Sequence, residues 1–99
     1  MNYYLFKLIP PRPTFPADMS ESEAAMMQQH FAYWIQIMDE HRAAVYGPVM
    51  DPKGAYGIAV IEAESEDAAR SIAESDPAMQ SHFGFHFEIH QMPDAIVRP

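Results

Sequence analysis

From Glu21 to Arg42 the chain has neither glycine nor proline, although it carries nine prolines and four glycines elsewhere. An uninterrupted helix of that length spans about 30 Å. In a protein of 99 residues that is the full width of a small domain, so every other element must pack against this one rod. Its start is written locally. Ser20-x-x-Glu23 is a capping box, in which each side chain satisfies a backbone N–H that the first helical turn leaves unpaired. Helical steps place Ala24, Met27, Phe31, Trp34, Ile35 and Met38 on one stripe, the expected core face. Gln28, Gln29, Gln36, Asp39 and Glu40 fall opposite. Between the two lies a mixed sector of Glu23, Met26, His30, Ile37 and His41, of a kind that faces a pocket or another subunit.

The flanking segments are short and strand-like. Residues 2–9 are rich in aromatic and aliphatic side chains and stop at Pro10-Pro11, which marks a first strand. Pro10 to Pro16 holds four prolines and supports neither helix nor ladder; it reads as a stiff connecting loop, with a PxxP ligand segment as the rival reading. After the helix, Ala43–Met50 and Ala55–Ala63 form two strands around the turn Asp51-Pro52-Lys53-Gly54. Ser65-Glu66-Asp67 caps a second helix, with Ala69, Ile72 and Ala73 on one face, which stops at Asp76-Pro77. Residues 83–91 supply a last strand, Phe85, Phe87 and Ile89 alternating with His86, Glu88 and His90. The order β-α-β-β-α-β fits an α+β, ferredoxin-like domain over residues 1–99, with a four-stranded antiparallel sheet and both helices on one face.

Composition narrows the function. A net charge of −8 is the wrong sign for a phosphate-backbone binder, so nucleic acid is not an expected partner. The absence of cysteine excludes disulfide scaffolds, thiolate metal sites and thiol nucleophiles. No stretch approaches the roughly 20 apolar residues of a membrane span, and a cytoplasmic protein is expected. Twelve per cent aromatic residues and eight methionines exceed what so small a core hides, which points to a homodimer.

Several short motifs occur in an order that resembles the YciI-like (YCII-related) family: Tyr4-Leu5-Phe6, His30-Phe31-Ala32-Tyr33-Trp34, Gly47-Pro48, the turn from Asp51 to Gly54, and Asp76-Pro77. After Asp76-Pro77 the chain departs from the family pattern, Ala78–His82 lacking an aromatic residue. The resemblance implies a ferredoxin-like fold that dimerises sheet to sheet as a dimeric α/β barrel, and a His–Asp acid/base pair in a pocket. It also implies lyase-like chemistry on small aromatic molecules, since a relative eliminates HCl from a chlorinated hydroxyhydroquinone.

On the residues themselves, His30 has Met26, Met27 and Trp34 as helical neighbours, a setting that desolvates an imidazole and favours its neutral form. A lone helical histidine is also an ordinary packing residue. A base needs an orienting carboxylate. The resemblance assigns that role to Asp76, with Asp51 the rival. Read locally, Asp76 is a helix-stop residue before proline and Asp51 a turn residue. Trp34, Gly47, Pro48 and Asp51 are the expected pocket residues. Tyr33, Tyr46 and Tyr56 are phenolic candidates among which the sequence does not choose. His86, Glu88 and His90 share one strand face and could approach a zinc ion only with a further donor such as His82, the side chains being about 7 Å apart. A polar dimer interior is the simpler reading, and no metal ligand is assigned. With no Gly-rich phosphate loop and no lysine in a Schiff-base setting, no organic cofactor is expected.

The leading expectation is a small enzyme using His30 and Asp76 for elimination or isomerisation of a small aromatic or enolisable molecule. Two alternatives stand beside it: a non-catalytic small-molecule-binding or accessory module, and, by fold analogy, a cofactorless oxygenase.

Overall fold

Tyr4, Phe6 and Leu8 alternate with Tyr3, Leu5 and Lys7, and this period of two makes Asn2–Ile9 a strand, β1, with one fully buried face. In the computed structural model, which describes residues 1–99, β1 is followed by α1 (Glu21–Asp39), β2 (Ala43–Val49), β3 (Tyr56–Ala63), α2 (Glu66–Glu74), α3 (Pro77–Gln80) and β4 (His86–Gln91). The sheet order is β2-β3-β1-β4 and every pair is antiparallel, Phe6 facing Ala59 on one side and Ile89 on the other. Each long helix joins two strands that a third strand separates. This is the ferredoxin-like arrangement.

The helices cover one face of the sheet. There the core is built from Tyr4, Phe6, Leu8, Ala59, Ile61, Ala63 and Ile89 below, and Trp34, Ile37, Ala69, Ile72 and Ala73 above. Alanines at 59, 69 and 73 leave α2 free to lie close to β3. Phe6 is fully buried and packs 5.0 Å from the Trp34 ring, so truncating it to alanine costs about 3–5 kcal/mol. The outer face carries Leu5, Lys7, Val45, Ile58, Val60, Glu62, His86, Glu88 and His90, and no helix lies over it. No helix is long and apolar enough to cross a membrane.

The structure departs from the sequence reading in three places. The core face of α1 is Glu23, Met26, His30, Trp34 and Ile37, whereas Phe31 and Ile35 of the expected stripe are 46% and 63% exposed. Helical periodicity scores Glu23 and His30 as polar, but each has a partner from elsewhere in the fold that permits its burial. The capping box is present as read, yet the helix ends at Asp39, and His41 adopts a left-handed φ of 59° that turns the chain into β2. Finally, Asp76-Pro77 does more than stop α2. Asp76 caps α3, with Pro77 at its first turn and the Ala78 N–H bonded to the Asp76 side chain.

Arg12 fixes the proline-rich loop to α1. Its guanidinium grips both oxygens of Glu23, at 2.7 and 2.9 Å, and donates from Nε to Asp18 at 2.9 Å. Glu23 also accepts from the Ser20 backbone, so one carboxylate closes the capping box and anchors the loop.

Candidate active site

Three elements converge beneath α1. The helix presents His30 and Trp34 from one face, the turn between α2 and α3 brings Asp76, and β2 brings Tyr46. His30 and Asp76 are both 0% exposed. The His30 Nδ1 lies 2.8 and 2.9 Å from the two Asp76 oxygens. Trp34 Nε1 donates to Asp76 Oδ2 at 2.8 Å, and the Ala78 backbone N–H donates to Oδ1, also at 2.8 Å. Neither of those nitrogens can accept, so Asp76 accepts both of these bonds. The complementary assignment puts a proton on Nδ1, and a neutral ring then offers Nε2 as an acceptor. That nitrogen meets the Tyr46 hydroxyl. No buried side-chain polar atom of the chain lacks a partner.

The family model for the YCII-related domain matches residues 3–93. This chain belongs to that family. No curated protein matches it.

In this YCII-related domain Tyr46 stands between the histidine and an apolar cavity of about 310 Å³, at the small end of ligand-pocket sizes. The cavity runs under the proline-rich loop, with Phe15, Met27, Phe31, Pro48, Met50 and Phe85 in its walls. It has no charged lining residue, and Tyr46 and Tyr56 are the only lining residues that carry a side-chain hydroxyl. The Tyr46 ring stacks on Trp34, centroids 5.4 Å apart and planes 8° off parallel, and presents an edge to His30 at 5.2 Å. Burial first, and the Asp76 charge second, push the Tyr46 phenol above its ordinary range, so it is a protonated donor at neutral pH.

The structure sorts the residues singled out from sequence. It joins His30 and Asp76 directly. Trp34 is no wall of this cavity; it backs Tyr46, orients Asp76 and borders a second cleft with Phe31, Ile35 and Tyr46. Pro48 lines the cavity but Gly47 does not: a Cβ at Gly47 would meet nothing within 4 Å, because the residue pairs with Ile58 on the outer face of the sheet. The glycine that matters is Gly57, whose added Cβ would stand 3.1 Å from the Tyr46 hydroxyl. Asp51 closes its own turn, accepting from the Lys53 N–H at 2.9 Å, and borders a separate groove with Lys7 and Lys53. Of the three phenols, Tyr33 donates to the Ile72 carbonyl at 2.5 Å, and Tyr56 lies under the Lys7 ammonium at 4.4 Å. Only Tyr46 meets the histidine. No three His, Asp or Glu side chains form a metal-binding group; on the outer face His90 and Glu88 pair at 3.1 Å.

Proposed function

We propose that this YCII-related domain is a small cytoplasmic acid–base enzyme that moves a proton on a small aromatic or enolisable molecule, giving elimination or isomerisation. The observation that carries the reading is the His30–Asp76 pair, buried without solvent contact beside an apolar cavity. A carboxylate that fixes the imidazole tautomer and balances an imidazolium is the arrangement general acid–base catalysis uses. The reading includes a homodimer, supported by the uncovered outer face with Leu5, Val45, Ile58 and Val60, and assigns no cofactor.

The test is solvent deuterium exchange by NMR on a panel of enolisable ketones and phenols. His30→Gln, which keeps an amide donor for Asp76, and Asp76→Asn should each lower exchange by about 10²-fold or more. Unchanged exchange in both variants overturns the reading. A second reading, a ligand-binding module without turnover, is favoured by one observation: both ring nitrogens of His30 are already engaged and the ring reaches no cavity. Thermal stabilisation by a panel compound, with no exchange in the wild-type protein, selects it.

A further inference from the structure

A proton can leave or enter the His30–Asp76 pair only through something that touches both the ring and the cavity. His30 is 0% exposed, its Nδ1 faces Asp76 and its Nε2 faces the Tyr46 hydroxyl. Tyr46 lines the cavity, and its hydroxyl lies over Gly57, another wall residue. Resting on the acid–base reading above, we infer that Tyr46 is the catalytic residue that meets the substrate, and that the site takes an uncharged, apolar ring or enol presenting an O–H to the Tyr46 oxygen.

The direction of the hydrogen bonds carries this. With the neutral ring's proton on Nδ1, that N–H donates to Asp76, Nε2 accepts, and the Tyr46 O–H is donated to it. What Tyr46 offers the cavity is therefore a lone pair. An ether oxygen finds no donor at Tyr46, whereas a phenolic or enolic hydroxyl finds an acceptor there. When the substrate O–H breaks, its electrons stay on the substrate oxygen and its proton forms a new O–H bond at Tyr46. The original Tyr46 proton passes to Nε2, leaving an imidazolium against Asp76. The balance is one proton, with no net charge on Tyr46. Burial beside Asp76 disfavours a free tyrosinate, so the two transfers go together. The rest of the wall agrees: no charged side chain lines the cavity, and Phe15, Phe31 and Phe85 suit a flat apolar body. Stacking on Trp34 holds the Tyr46 ring in place, and the missing side chain at Gly57 leaves its hydroxyl room.

The experiment is a matched pair of probes, 4-methylphenol and 4-methylanisole, which differ by the O–H alone. Titration is followed by the emission of Trp34, the chain's single tryptophan, and by the ring ¹⁵N shifts of His30. The wild-type protein should bind the phenol at least tenfold more tightly than the ether, with the Nε2 shift moving toward the protonated value. Tyr46→Phe keeps the stacked ring and should bring the two affinities within about twofold. Gly57→Ala, which crowds the hydroxyl from 3.1 Å, should reduce the preference without touching the dyad. Equal binding of the probes, no binding of either at millimolar concentration, or an undiminished preference in the variants overturns the inference. The parent reading fails separately. A phenol preference with no deuterium exchange leaves Tyr46 as the recognition residue of a binding module, while exchange that survives Tyr46→Phe but not Asp76→Asn keeps the enzyme and removes Tyr46.

Discussion

Asp76 receives hydrogen bonds from an imidazole, an indole and a backbone amide while fully enclosed, and a buried carboxylate depends heavily on its donors. His30→Ala is expected to destabilise the fold by about 3–5 kcal/mol, because it strands that charge. Adding Asp76→Ala should restore part of the loss, a coupling that a double-mutant cycle by urea unfolding reads directly. Equal and additive losses would mean that the pair is not coupled. Trp34→Phe keeps an aromatic ring but removes one donor, at about 1–3 kcal/mol. In a domain of this size that lowers the melting temperature by roughly 4–8 °C per kcal/mol, measurable by calorimetry. At this scale the sequence is only partly legible. His30 and Asp76 stand out through their motifs, but a tyrosine in Ala43–Val49 looks like any half-buried strand residue. Nothing local signals that Tyr46 meets a histidine sixteen positions away. Gly57 is hidden for the same reason: its meaning lies in the neighbour a side chain would strike.

Among the elements, strands and helices follow from period and caps, because those signals are local. The roll of α1 does not. Phe31 and Ile35 pull the expected stripe one way, while Glu23 and His30, held by Arg12 and Asp76, turn the helix the other. The Glu23 tie has a pH consequence. The Arg12 guanidinium first, then the Ser20 N–H, hold its carboxyl down at about 2. A depressed folded-state value means the contribution is complete above the unfolded glutamate range near 4.3 and disappears as pH falls through about 2. Glu23→Gln should therefore narrow the stability difference between neutral and acidic solution within that window, in parallel melts of the two proteins. An unchanged acid profile would show the tie to be idle. Arg12→Ala should free the proline-rich loop and raise proteolytic nicking between residues 10 and 19.

For the whole molecule, the expected assembly is a pair of chains meeting through the outer face of the sheet. Light scattering should return twice the 11.2 kDa chain mass at micromolar concentration, and Val60→Asp, on the uncovered face, should return it to one. A wild-type mass of 11.2 kDa throughout the titration would rule that assembly out.

The four residues of α3 are too few to hold a helical turn alone. The turn persists because the side chain capping it is also bound to His30 and Trp34. Parting the dyad and fraying this turn are then a single opening event. The Ala78 amide hydrogen, donated to Asp76, is then expected to exchange with solvent when that cluster opens. One backbone proton thus serves as a clock for the assembled cluster: with fast reclosing, the ratio of its exchange rate to that of an unprotected amide gives the fraction of time the Asp76 cap is open.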